Sequence, residues 1–171
     1  MRVPVASVAG PADRAEIAAL RTRVFVEEQG VPREIEQDAA DDTAVHALSR
    51  DAAGRIVATG RLLLRDDGTA TIGRMATDPG ARGGGHGAAV LAELHRQAAL
   101  RGVGEVELHA QVSARGFYER AGYTAVGSEY EEAGIAHITM VRRFAALPAP
   151  GGTDETDRSG RIETRSVRPS E

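Results

Sequence analysis

Apolar and polar positions alternate along the chain with two different periods, and the changes of period mark the elements. Val3–Val8 alternates and predicts a first strand. From Ala12 to Glu28 the apolar residues Ile17, Leu20 and Val24 fall three and four apart, which predicts a helix that Gly30-Val31-Pro32 ends. Pro32–Asp42 is polar and acidic and reads as a loop. Val45–Arg50 and Arg55–Arg65 read as strands around Asp51-Ala52-Ala53-Gly54, and Asp66-Asp67-Gly68 turns the chain into a further strand, Thr69–Thr77. Asp78 to Gly85 is a glycine-rich turn. A long helix is predicted over Gly87–Arg101, with Val90, Leu91, Leu94 and Leu100 on one face. Glu105–Gln111 alternates as a strand, Ser113–Ala121 is a short helix, and Tyr123–Gly127 and Ala136–Arg143 close the pattern as strands. The order is β, α, three β joined by hairpins, α, β, α, β, β, an α/β arrangement with no internal repeat.

Both periods fade near the C-terminus. Residues 147–171 are rich in Pro, Gly, Ser, Thr and charges of both signs, and too poor in apolar residues to offset the entropy of ordering. The expectation is one domain over residues 1–146 and a disordered tail over 147–171. The 171 residues hold 42% hydrophobic but only 4% aromatic side chains and no tryptophan, so the core must be built from Ala, Val, Leu and Ile. Net charge is −4 with mixed signs, which argues against a nucleic-acid partner. No run reaches the ~18 apolar residues of a membrane span, and the interrupted N-terminal stretch does not read as a signal peptide. A cytoplasmic location is expected. All 21 basic residues are arginine, so chemistry that needs lysine is excluded. Cysteine is absent, which removes thiolate nucleophiles and Cys-based metal sites.

The segment Arg82-Gly83-Gly84-Gly85-His86-Gly87 separates a predicted strand from a predicted helix. Amides at a helix start are unpaired and sit at the positive end of the helix dipole, so they suit phosphate oxygens. Glycines admit a ligand close to the backbone, and Arg82 adds a cation. A P-loop fails for want of lysine. A dinucleotide fingerprint has Gly85 and Gly87 and an acid, Glu107, about 20 residues on, but its third glycine position is Val90. The pattern R/Q-x-x-G-x-G/A fits as Arg82, Gly85 and Gly87.

That pattern, between a strand and a helix, resembles the acetyl-CoA motif of the GNAT superfamily of N-acetyltransferases. Gly116-Phe117-Tyr118-Glu119-Arg120-Ala121-Gly122-Tyr123 resembles the family's F-Y-E-x-x-G-F/Y block at the expected place, and the element order matches over Val3 to Phe144. Val24-Phe25-Val26-Glu27-Glu28-Gln29, Leu108-His109-Ala110-Gln111 and Glu132-Ala133-Gly134-Ile135-Ala136-His137 are similar to a small bacterial branch, the YjcF-like proteins. The resemblance implies a mixed, mainly antiparallel sheet flanked by helices. It also implies acetyl-CoA as cosubstrate, no metal, and direct transfer to a small-molecule or peptide amine, and it admits a homodimer. Gly83, Gly84, Gly85, His86, Gly87 and Ala88 would bind the pyrophosphate with Arg82, and Met75, Ala76 and Thr77 would pair with the pantetheine arm. Tyr118 matches the tyrosine that protonates the departing thiolate. Gln111 stands where many relatives carry an asparagine that touches the cofactor.

An alkyl ammonium of pKa ~10 must lose a proton before it attacks. Base candidates are Glu28, His109 and His137, or a water held by them. His46, His86 and His95 carry less, His95 being placed at the helix surface, and their spacing shows no metal site. The acidic run Glu34-Ile35-Glu36-Gln37-Asp38 with Asp41-Asp42 would attract a cationic amine, or else is a solvated loop. Two other classes stay open: a non-catalytic acyl-CoA-binding or sensing module, and, last, a nucleotide-dependent oxidoreductase, which needs a parallel sheet.

Overall fold

Seven strands make one sheet in the order β1-β2-β3-β4-β5-β7-β6, in a computed structural model that describes residues 3–145. The strands are β1 (Ser7–Val8), β2 (Val45–Arg50), β3 (Ile56–Leu64), β4 (Thr69–Thr77), β5 (Glu105–Gln111), β6 (Thr124–Glu132) and β7 (Ile135–Arg143). Every neighbouring pair is antiparallel except β4 and β5. The parallel pair is joined by α3 (His86–Leu100), which supplies the crossover such a pair requires. The helices α1 (Arg14–Arg21), α2 (Arg33–Glu36) and α4 (Arg115–Arg120) complete the set.

One face of the sheet packs on α3 and α4 through Val90, Leu91, Leu94, Tyr118, Val106 and Met140. The other packs on the first helical stretch through Ile17, Leu20, Val24, Leu48, Ile56 and Ala76. That second layer covers only part of its face, and the rest is left open over β3 to β7.

Two irregularities shape the open part. The parallel ladder runs from Thr69↔Glu105 to Ile72↔Leu108 and stops there, although β4 continues to Thr77 and β5 to Gln111. The same stretch of β4 is bulged against β3: Thr59 pairs with Ala76 and Arg61 with Gly73, so Gly60 alone faces Arg74 and Met75. Arg74 takes φ +52°, a rare value for a residue with a side chain. A Cβ at Gly60 would lie 2.9 Å from Leu94 and 3.1 Å from Val90, so only glycine lets α3 close over the bulge.

Several expected boundaries differ. The first strand is cut to Ser7–Val8, since Pro4 lacks a donor and Val3 and Val5 are exposed. The predicted helix over Ala12–Glu28 is a 3-10 turn (Pro11–Asp13), α1, and a π-helical turn (Thr22–Glu28). The loop Pro32–Asp42 contains α2 and a 3-10 turn (Ala39–Asp42). β6 runs on to Glu132 past a bulge with Gly127 at φ +76°. Leu100 is exposed and leaves the buried face of α3. The predicted tail, 147–171, lies outside the described residues. Among the described residues no helix is long and apolar enough to cross a membrane.

Candidate active site

The glycine turn is built by the end of β4 and the start of α3. Asp78 accepts from the Gly80 amide at 3.1 Å and opens a 3-10 turn, Pro79–Ala81. Gly83 and Gly85 then take φ +83° and +87°, and Gly85 is the N-cap of α3. The first backbone bond of the helix is from Ala89 N–H to the Gly85 carbonyl, at 3.0 Å, and no side chain caps it. The amides of His86, Gly87 and Ala88 therefore leave the helix end unpaired. A Cβ on Gly87 would sit 3.3 Å from Thr77 Oγ1 and 3.7 Å from Phe117, so the turn is a close cradle between β4 and α4. His86, which the pattern treats as a variable position, is fixed by a 2.7 Å bond between Nδ1 and the hydroxyl of buried Ser49.

Arg82 and Glu28 meet across 54 residues of sequence. The Arg82 guanidinium gives Nη1–H to Glu28 Oε2 at 2.7 Å and Nη2–H to Oε1 at 2.6 Å, while Nε–H goes to the Thr77 carbonyl at 3.1 Å. Those Arg82 bonds hold the Glu28 carboxyl below its ordinary range. Glu28 thus stands at the turn with both oxygens engaged, and not with the other two base candidates.

Where β4 and β5 part, a cavity of about 470 Å³ opens on the uncovered face. Met75, Leu108, Gln111 and Tyr118 line it at the parting, and Phe25, Gln29, Val31 and Ile35 roof it. Gln111 donates Nε2–H to Gln29 Oε1 at 2.8 Å, a bond that ties roof to sheet. Tyr118 is 8% exposed, its ring set edge-on to Phe117 and Tyr123. Burial pushes its phenol up to about 12.

His109 and His137 both line the cavity. They share a face because β5 and β7 pair His109 with Thr139 and Gln111 with His137. His137 Nδ1 lies 2.7 Å from the Ile135 carbonyl, which can only accept, so Nδ1 carries the hydrogen and Nε2 holds the lone pair of the neutral ring. The ring stacks on Tyr130, with centroids 5.9 Å apart. His109 Nε2 lies 3.0 Å from Glu107 Oε1, and its side chain is 48% exposed.

The acidic run does not stand as a free attractor for an amine. Glu36 binds Arg21, Asp41 binds Arg21 and Arg61, and Asp38 binds Arg61 and Arg74. Sequence reasoning missed these arginines. Arg21 had a signal, since it lies four residues after Ile17 on the buried stripe of α1, and Arg61 interrupts an apolar strand. Arg74 had none, because its direction depends on the bulge.

His95 is half-buried rather than at the surface. Its Nε2 lies 2.7 Å from the Tyr123 hydroxyl, and burial, aided by the Arg142 charge, pushes its pKa down to about 4. An unfolded imidazole titrates near ~6.5. Between those values the unfolded chain binds more protons, so stability is full above pH ~6.5 and declines towards pH 4, by about 3 kcal/mol. Burial lowers the pKa of His46 as well, which adds to the same slope. Urea titrations at pH 7 and 4.5 check this: His95→Gln should flatten most of the difference, and a wild type equally stable at both would contradict it. Among the described residues no group of three or more His, Asp or Glu is placed to hold a metal ion.

Residues 10–144 match the model of the acetyltransferase (GNAT) domain. The chain is 32% identical over 124 residues to an uncharacterized N-acetyltransferase, YjcF, of Bacillus subtilis, covering 72% of this chain and 87% of that protein. It is 34% identical over 132 residues to a UPF0039 protein of Synechocystis, covering 75% and 84%. Among solved structures, a putative N-acetyltransferase of Lactobacillus plantarum superposes with a TM-score of 0.76 at 31% identity, over 84% of this chain and all of that one. Escherichia coli ElaA superposes with a TM-score of 0.72 at 26% identity, over 82% and all of that chain. The open sheet, the amide-lined turn and these similarities converge on one assignment: the chain belongs to the GNAT acetyltransferases, a family that transfers acyl groups from acyl-coenzyme A.

Proposed function

We propose that this protein is an acetyl-CoA-dependent N-acetyltransferase that moves the acetyl group to a primary amine by direct attack in a ternary complex. The observation that carries the reading is the parting of β4 from β5 beyond Ile72 and Leu108, which brings Met75, Gln111 and Tyr118 to the wall of one cavity, while the same strand β4 runs on to the amide-lined turn. Bound there, acetyl-CoA supplies an activated thioester whose sulfur leaves as a thiolate.

The amides of Gly83 to Ala88 suit the pyrophosphate, since the helix end leaves donors unpaired and the glycines leave room at the backbone. Arg82 reaches the same anion only by sharing or leaving Glu28. Met75, Ala76 and Thr77 have lost β5 as a partner on one edge, and their backbone can pair with the pantetheine amides as a neighbouring strand would. Tyr118, neutral throughout the physiological range, donates a hydrogen bond to the leaving sulfur. His137 takes the amine proton at Nε2, which the Ile135 carbonyl keeps free as an acceptor. Glu28, paired with Arg82, holds the turn and takes no proton from the acceptor.

Thermal shifts with acetyl-CoA, NAD and ATP in parallel, followed by thiol release with a panel of primary amines, test the reading. A ligand at ~100 times its dissociation constant adds about 2.7 kcal/mol, roughly 5–11 °C for a chain of this size. A shift with acetyl-CoA together with amine-dependent thiol release is expected. A shift without release from any amine would favour a non-catalytic acyl-CoA-binding module, and a shift with NAD alone would sink the transferase reading.

A further inference from the structure

One wall of the cavity is made of arginine, and the transfer chemistry makes no use of it. Arg61 on β3 and Arg74 on the β4 bulge line it, with Arg21 behind, and Glu36, Asp38 and Asp41 stand against these three cations. Arg61 gives Nη1–H to Asp38 and Asp41 at 2.7 and 2.8 Å and Nη2–H to Asp38 at 3.0 Å. Its side chain is 6% exposed, yet Nε–H has no acceptor. Arg74 gives Nε–H to the Glu36 carbonyl at 3.1 Å, and Nη2–H to the Ile35 carbonyl at 3.1 Å and to Asp38 at 3.2 Å. No acceptor among the described residues takes Arg74 Nη1. A buried donor with no partner is costly, and a strained backbone persists where the surroundings impose it, often at a binding site. Of Arg61 and Arg74, Arg74 is the less fully answered: burial and the neighbouring Arg61 and Arg21 push its pKa down against the pull of Asp38 and Glu36, whereas Asp38 and Asp41 hold that of Arg61 up against burial.

Phe25, Val31, Ile35, Leu63 and Ile72 add apolar surface to the same cavity. Each carboxylate on the wall is already paired with arginine, so a polycation finds little there beyond Glu36 Oε2, a buried oxygen without a donor. We propose that the acceptor is an amine bearing a carboxylate on an apolar body, such as an apolar amino acid or a short peptide, whose carboxylate is bound by Arg74 with Arg61 behind it. This rests on the acyl-transfer reading above and deepens it. Arg74 directly precedes the Met75–Thr77 edge, and a strand rises about 3.3 Å per residue. A carboxylate held at Arg74 would therefore place an amine only a few bonds away beside the thioester.

Matched acceptors test it: phenylalanine against phenethylamine, 5-aminovalerate against pentylamine, and spermidine, with 3-phenylpropionate as a ligand that has no amine. The carboxylated member of each pair is expected to have the higher kcat/KM, by about tenfold or more, as a charge-assisted hydrogen bond predicts. Arg74→Gln should collapse that ratio through KM, and Arg74→Lys should restore part of it. 3-Phenylpropionate should raise the melting temperature of the wild type but not of Arg74→Gln. Equal use of both members of each pair, or a preference for spermidine, would overturn the proposal while leaving transfer intact. A thermal shift with 3-phenylpropionate but no transfer to any amine would keep the carboxylate site and remove the transferase reading.

Discussion

Replacing Arg21 with methionine is expected to lower the unfolding free energy by about 3–5 kcal/mol, the range for breaking a buried ion pair from one side. Arg21 is 4% exposed and Glu36 2%. Arg21 gives Nε–H to Glu36 Oε1 at 2.5 Å, Nη1–H to Asp41 at 2.7 Å and Nη2–H to the Glu36 carbonyl at 2.9 Å. Methionine fills much of the volume but leaves the buried Glu36 carboxylate without a donor, while the Glu36 carbonyl keeps only Arg74 Nε–H. For a domain of this size the melting temperature should fall by roughly 10–20 °C. The double variant Arg21→Met, Glu36→Leu should recover most of the loss, because two apolar groups need no partners. A single variant within about 1 kcal/mol of wild type would show that the pair holds nothing together. The same network sets an acid limit. Burial alone would raise the carboxyl of Asp41, but Arg21 and Arg61 outweigh it and hold it at about 2. An unfolded aspartate titrates near ~3.9, so this contribution is present above that pH and is lost as pH falls towards 2.

What could be read from the sequence and what could not divide along the range of the interactions. β4 and β5 occupy the predicted residues because Asp66-Asp67-Gly68 and the glycine turn bound the first, and alternation marks the second. α3 begins one residue early because Gly85, at φ +87°, is its cap. The turn and the Phe117-Tyr118 block are local patterns, so their places between β4 and α3 and on α4 were legible in the sequence. The arginine wall was not. The acid run at 34–42 looks free until Arg61 and Arg74 come to it from 20 to 39 residues away. Glu28 looks like an unpartnered carboxylate until Arg82 arrives across the fold. Charge pairs of long span depend on register, and at Arg74 the register itself shifts by one residue at a bulge that no period announces.

Tyr118→Phe should lower kcat by about 10- to 100-fold while leaving the thermal shift with acetyl-CoA unchanged. The exchange removes one oxygen and keeps the ring between Phe117 and Tyr123, at centroid distances of 5.0 and 5.9 Å, so stability should stay within about 1 kcal/mol. What is lost is the hydroxyl of a side chain that lines the cavity where β4 and β5 part. A hydrogen bond to a group that becomes charged is worth about 1.5–3 kcal/mol, which sets the expected range in rate. Burial, by pushing the phenol up to about 12, keeps the proton on oxygen far above neutral pH. It also makes full transfer to a thiolate uphill, since a thiol titrates near ~8.5. In the proposed reaction Tyr118 would therefore act by hydrogen-bonding the sulfur as charge gathers there. The pH profile of Tyr118→Phe should accordingly have the wild-type shape up to pH 10, displaced downwards by a constant factor. A profile that instead lost its alkaline limb would mean that the tyrosine ionises within that range and works as a true acid. Unchanged kcat would mean that the sulfur departs with a proton from solvent, and that Tyr118 serves only to pack α4 against the sheet.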